Sequence, residues 1–158
     1  VTGLAAFPGT LARTFVAGLV LAVVVTVMPV LAAAPGNSLV VQSPWMRKAP
    51  GVDTAAVYMV LRNTGTQAVT VTNVTSPFAN HVMIHETTHE GGQSRMRMQE
   101  TITIPAGKSV AFEPGGLHVM FSGFTQDVSV GQKVPFTLVL DNGDEVKADA
   151  LVRPLDAQ

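Results

Sequence analysis

Hydrophobic and polar positions alternate along most of the chain beyond residue 38, with a period of two. The last stretch shows it best. VPFTLVL sets Val134, Phe136, Leu138 and Leu140 on one face, and EVKADALV returns with Val146, Ala148, Ala150 and Val152 against Glu145, Lys147 and Asp149. Asp141-Asn142-Gly143 between them is a hairpin turn signal, so the two runs predict an antiparallel pair. AAVYMVLRNTG, from Ala55, ends in a second turn signal at Asn63-Thr64-Gly65; AVTVTNVTS follows, with Val69, Val71 and Asn73 alternating against Thr70 and Thr72. VMIHET, SRMRMQ, SVAFE and LHVMF, separated by EGG, IPAG and PGG, supply further strands at roughly ten-residue spacing. No stretch of this region has a convincing helical period. The pattern predicts one all-β domain, a sandwich or barrel, over residues 37–155.

The first 34 residues break the pattern. They hold one charged residue, Arg13, and the apolar run FVAGLVLAVVVTVMPVLAAA from Phe15 to Ala34. A basic start, an apolar stretch and the small residues Ala32, Ala33 and Ala34 form the layout of a secretory signal peptide. The run is also long enough for an uncleaved anchor, but Pro29 interrupts it and the alanines follow. Residues 1–34 are therefore expected to export the protein, and the remainder is expected to work in the periplasm or otherwise outside the cytoplasm. A mature domain released from this leader carries no membrane association of its own.

Composition narrows the chemistry. All 11 acidic residues and nine of the 10 basic ones follow the leader, and no dense Lys/Arg cluster marks a nucleic-acid surface. The chain has no cysteine, so an exported domain must hold by packing without disulfides. It also has no residue on which a lipid could be placed by thioether linkage.

Against that background the histidines and methionines stand out. His81, His85 and His89 are four apart, which on a helix suggests a zinc site. NHVMIHETTHEGG is instead strand-like, and on a strand His81 and His89 lie far apart, so at most one or two of the three can meet at a point. Met83, Met96, Met98 and Met120 occupy the same part of the chain. Any one of them reads most simply as core filler. His118 and Met120, however, sit two apart in LHVMF and leave the same face of a strand. A thioether is a soft, neutral donor that selects Cu(I), imidazole also suits copper, and together they hold the metal without a reactive thiolate. His85 and Met96 are the natural partners, because a turn at EGG folds their segments together.

The resulting spacing is His85, ten residues, Met96, twenty-one residues, His118, one residue, Met120. It resembles the signature of the periplasmic copper chaperone family PCu(A)C. WMRKAPGVDTAAVYMVLRNTG from Trp45, IHE at 84 to 86, IPAGKSV at 104 to 110, PGGLHVM at 114 to 120 and VPFTLVL resemble the family's successive landmarks, so the likeness covers most of the chain after the leader. The resemblance implies a cupredoxin-like Greek-key β-sandwich or barrel and a Cu(I) site of His85, Met96, His118 and Met120. It also implies delivery of copper towards the CuA subunit of cytochrome c oxidase, alone or with a Sco-type assembly factor. Two features depart from the family: Thr87 and Thr88 stand where members often carry a methionine, and the end, RPLDAQ, lacks a His/Met-rich tail.

Other readings fare less well. Blue-copper and CuA electron-transfer sites need cysteine sulfur, which is absent. As an enzyme, the chain offers only His85-Glu86 and His89-Glu90, neighbours that point to opposite faces of a strand. A periplasmic copper-buffering or resistance protein shares the site and differs only in lacking a dedicated oxidase acceptor. Outside the spacing motif, packing is the default for Met83 and Met98, although their strand parity with His85 and Met96 would also let either shield or back up the site; solvent exposure is expected for His81 and His89, and a core or rim position for Trp45 and Tyr58.

Overall fold

The computed structural model describes residues 2–3 and 38–155; the expected leader over 1–34, apart from residues 2–3, lies outside the described residues. Ten strands follow in order: β1 (Leu39–Lys48), β2 (Thr54–Asn63), β3 (Val69–Thr75), β4 (Ala79–Glu90), β5 (Gln93–Gln99), β6 (Ile102–Ile104), β7 (Ser109–Phe112), β8 (Leu117–Phe124), β9 (Lys133–Leu140) and β10 (Glu145–Arg153). No helix occurs among the described residues. The strands form one continuous sheet in the order β5-β4-β8-β2-β1-β10-β9-β3-β6, with β7 continuing along β2 beyond β8. All pairings are antiparallel except β1 with β10. The expected all-β, Greek-key architecture is what the chain adopts.

The core follows from the alternation. Val134, Phe136, Leu138 and Leu140 of β9 are all buried, and the facing strand contributes Ala150 and Val152, with Val146 and Ala148 packed at the margin. Ala55, Val57, Met59 and Leu61 of β2, Ile84 of β4, and Val119 and Phe121 of β8 join the same cluster. A period of two therefore assigns the opposite face of β2, β4 and β8 to Tyr58, to Met83 and His85, and to His118 and Met120.

Two irregularities shift the phase of the alternation. In β3 the pairing with β9 slips between Val71 and Asn73, so the core receives Val74, and Asn73 is exposed. The strict alternation expected for Val69, Val71 and Asn73 fails at this one extra residue. In β1 the pairing with β2 slips between Gln42 and Trp45, and Ser43, which precedes Pro44, has φ 48°. One added residue inverts every side chain beyond it. Leu39 before the bulge and Met46 after it both enter the core, and Trp45 and Arg47 turn to the outer face.

Asn63, at the end of β2, is wholly buried. Its Nδ2 donates to the carbonyls of Gln67 (2.7 Å) and Ile104 (3.0 Å), and its Oδ1 accepts from the Gly65 backbone N–H (2.9 Å). These bonds build the Asn63-Thr64-Gly65 turn and tie it to β6. Replacing Asn63 by Ala strands the Ile104 carbonyl and is expected to destabilise the domain by about 3 kcal/mol. Urea unfolding, read as a fall in midpoint at unchanged slope, checks this; a loss below about 0.5 kcal/mol overturns the role given to Asn63.

Candidate metal centre

The outer face of β5-β4-β8-β2-β1 carries the chemistry. Its central contact is the antiparallel pairing of β4 with β8, which sets His85 directly across from His118 and Met83 directly across from Met120. The two imidazoles lie edge to face, with ring centroids 5.9 Å apart and an interplanar angle of 87°. This neighbourhood joins residues 33 positions apart in the chain, from strands that the hydrophobic pattern alone could not pair.

The β4–β5 hairpin adds the second methionine segment. Glu90 pairs with Gln93 across Gly91 and Gly92, whose φ values of 59° and 78° are both in the left-handed region. That is the geometry of a type I′ turn, which side chains other than Gly or Asn resist. The turn sets the register, placing Met98 opposite His85 and Met96 opposite Thr87. Met96, one pleat further out, lines the same groove as His118 and Met120. This groove has a volume of about 320 Å³, and Arg47, Tyr58 and Leu155 also line it.

The approach to β8 orients His118. Glu113-Pro114-Gly115-Gly116 closes with a hydrogen bond from the Gly116 N–H to the Glu113 carbonyl (3.0 Å), and Gly115 takes φ 86°. Proline at the second position and positive-φ glycine at the third mark a type II turn. The Gly116 carbonyl then accepts from the Thr87 N–H (3.1 Å) and lies 3.0 Å from His118 Nδ1. Donation from Nδ1 to that carbonyl leaves Nε2 as the lone-pair nitrogen, the arrangement by which an outer partner prepares a histidine to ligate. Pro114-Gly115-Gly116 thus turns tightly into β8, and the His118 side chain that follows is only 6% accessible.

The His85 pKa lies below the ordinary imidazole value. Burial lowers its pKa first, and the like charge that His118 would carry lowers it further. Its Nδ1 is buried and has no hydrogen-bond partner within the protein. A buried polar atom left in this way is costly, and a metal ion is one partner able to satisfy it.

Tyr58 closes the groove on the β2 side. Its ring packs against Trp45, with centroids 4.6 Å apart and planes tilted by 39°, and lies 6.4 Å from the His118 ring. Burial raises the Tyr58 pKa, with the Arg47 charge opposing, so the ring stays neutral. The guanidinium groups of Arg47 and Arg153 lie 5.3 and 5.1 Å from the Trp45 ring. Tyr58 thus lines the groove and Trp45 backs it from β1, a position visible in the sequence only if the β1 bulge is anticipated.

The remaining His and Met residues separate clearly. His81 and His89 are exposed at opposite parts of β4, so the four-residue spacing assembles no three-histidine site. Among the described residues, no group of three or more His, Asp or Glu could hold a metal ion. Met83 and Met98, expected to pack, are instead 37% and 59% exposed. Among the described residues, no strand covers the outer face of β4 and β5 to receive them.

Comparison with known proteins gives the family and the fold. The chain is 32% identical over 120 residues to "Putative lipoprotein Lxx21020" of Leifsonia xyli subsp. xyli, covering 73% of this chain and 72% of that protein. Among solved structures it resembles the apo PCuAC domain of PmoF2 (27% identity, 77% of this chain and 94% of that one, TM-score 0.64) and the copper-bound form of that domain (25%, 74% and 93%, 0.61). It also resembles the solution structure of CuI-DR1885 from Deinococcus radiodurans (30%, 76% and 83%, 0.58). The model of a family described as "Putative lipoprotein LpqE-like" matches residues 39–152, from the first residue of β1 almost to the end of β10. The chain belongs to this LpqE-like family, and its fold is that of the PCuAC domains.

Proposed function

We propose that this chain is an extracytoplasmic copper carrier that holds Cu(I) with His85, Met96, His118 and Met120 and hands it to an acceptor, in the first instance one that builds the CuA centre of cytochrome c oxidase. The observation that carries the reading is the cross-strand pair His85–His118, with Met96 and Met120 lining the groove beside His118. Copper is the cargo here. Two imidazoles and two thioethers form a neutral, soft set suited to Cu(I) and poorly suited to the harder divalent ions. The copper-bound and CuI forms among the similar structures support the choice of metal. The lipoprotein description of the family supports a place of work outside the cytoplasm.

The chain's own residues contribute three things. The Gly116 carbonyl fixes the His118 ring, with Nε2 turned away from the bond. The burial of His85 lowers its pKa, which favours the neutral ring that a metal needs. The groove leaves Met96 more than half exposed, so an incoming acceptor can reach the metal through that edge, displacing one thioether before the buried histidine. Neutral donors without a thiolate favour onward transfer to a cysteine-containing acceptor.

Three measurements test the reading. Under anaerobic conditions the protein should bind one equivalent of Cu(I), with two sulfur and two nitrogen neighbours by X-ray absorption. Replacing both Met96 and Met120 by Leu should weaken binding at least about tenfold, equivalent to about 1.4 kcal/mol, and change unfolding by less than about 1.5 kcal/mol. Unaltered affinity in that double variant sinks the proposed set. Transfer to an apo CuA domain separates delivery from buffering: a carrier that binds Cu(I) but leaves such acceptors empty is a copper buffer.

The pH dependence has a definite sign. Because the His85 pKa is depressed in the folded protein, protons displace Cu(I) from that ring only below the ordinary imidazole value of about 6.5. Affinity measured against a competing chelator should stay nearly level from about pH 7.5 to 6.5 and fall below that range. The unfolded chain takes up the proton first, so the metal-free domain should also lose stability as pH falls from about 6.5 towards the depressed folded value. Affinity that remains flat to about pH 5 removes histidine from the metal.

A further inference from the structure

Met83 and Met98 are left unused by the four-residue set, and the fold does not use them as core. The buried methionines Met46 and Met59 show what packing looks like in this domain. Met83 and Met98 instead stand in solvent on the outer face, 37% and 59% exposed. Isolated exposed apolar residues need no explanation, but these two are not isolated. Met83 faces Met120 across β4–β8, and Met98 faces His85 across β4–β5. Each is thus the direct cross-strand neighbour of a different proposed ligand, where Cβ atoms are about 5 Å apart.

The two are also neighbours of each other. Because His85 pairs with Met98, Met83 lies one pleat along β4 from Met98's partner. That diagonal brings Cβ atoms to about 7–8 Å, within reach of long side chains. Both residues also border one small cleft of about 130 Å³, whose other walls include Asn73 and Val74 of β3 and the inward-facing Ile84. Between them the two side chains offer two soft thioether donors.

We propose that Met83 and Met98 form a second, outer station for a soft monovalent cation, Cu(I) or Ag(I), beside the His85–His118 pair. Two thioethers hold such an ion more weakly than a mixed set of four donors. The ion can pass from Met98 to His85, or from Met83 to Met120, by exchanging one ligand at a time. That the station feeds the inner set rests on the proposed function; that it binds the cation does not.

The test uses the full chain labelled with 13C at the methionine methyl groups and titrated with Ag(I), which mimics Cu(I) without its redox chemistry. The Met96 and Met120 methyl resonances should move first, those of Met83 and Met98 at higher Ag(I), and those of Met46 and Met59 should stay in place. The variant carrying Met83→Leu and Met98→Leu should keep the first event and lose the second; both sites are on the outer face, so folding is not at issue. Stationary Met83 and Met98 resonances, or a second event that persists in the double variant, overturn the proposal. Movement of Met83 and Met98 without Met96 and Met120 keeps the outer station and removes the inner four-residue set.

Discussion

The antiparallel pairing of β4 with β8 is the constraint on which the rest of this molecule depends. Once Ile84 meets Val119 across that ladder, the pleat leaves no freedom on the other side: His85 must meet His118, and Met83 must meet Met120. The apolar members, Ile84, Val119 and Phe121, are buried in the common core. Core packing therefore holds the outer residues in register, since a slip of one residue would send isoleucine and valine to the surface and histidine into the interior.

Solvation completes what register begins. A strand face turned away from the core is usually wet, yet His118 and Tyr58 are nearly inaccessible. The groove over them is lined by Arg47 from β1, Val52 from the β1–β2 connection and Leu155 beyond β10. In this partly dry setting the histidine at position 85 sheds its proton readily, and a single carbonyl, that of Gly116, steers the ring at position 118. The groove is asymmetric: His118, nearly inaccessible, and Met96, more than half exposed, both line it, and so does Arg47, which together with Arg153 flanks the Trp45 ring behind Tyr58.

Much of this was legible in the residues. The β9–β10 hairpin could be read because both strands alternate without interruption and Asp-Asn-Gly marks the turn. The shared face of His118 and Met120 followed from a separation of two, and the approach of β5 to β4 from two adjacent glycines. What was hidden has a common cause. The bulges in β1 and β3 each invert the alternation with one residue, so Asn73 was assigned to the wrong face and Trp45 could not be assigned to the groove. The three-residue β6 is too short to carry a period. The pairing of β4 with β8 is non-local, so the direct opposition of His85 and His118 came from the fold alone. Met83 and Met98 were expected inside because methionine is apolar; their exposure depends on the outer face of β4 and β5 having no covering strand among the described residues.

The bulge at Ser43-Pro44 has a consequence for how this strand can change over evolutionary time. It acts as a phase shifter: residues before it and residues after it obey opposite parity rules although they belong to one strand. The two halves are thereby uncoupled. Substitutions at Leu39 or Val41 are filtered by the fit of the interior, and those at Trp45 or Arg47 by the shape of the groove wall. Were the extra residue taken up as regular strand instead, one half would turn to the wrong face and Trp45 would be driven into a space sized for Met46. Loss of one residue between Gln42 and Trp45 has the opposite effect: it leaves a regular ladder in which both halves keep their present partners, so at this point in the chain a deletion is milder than a bulge that fails to form.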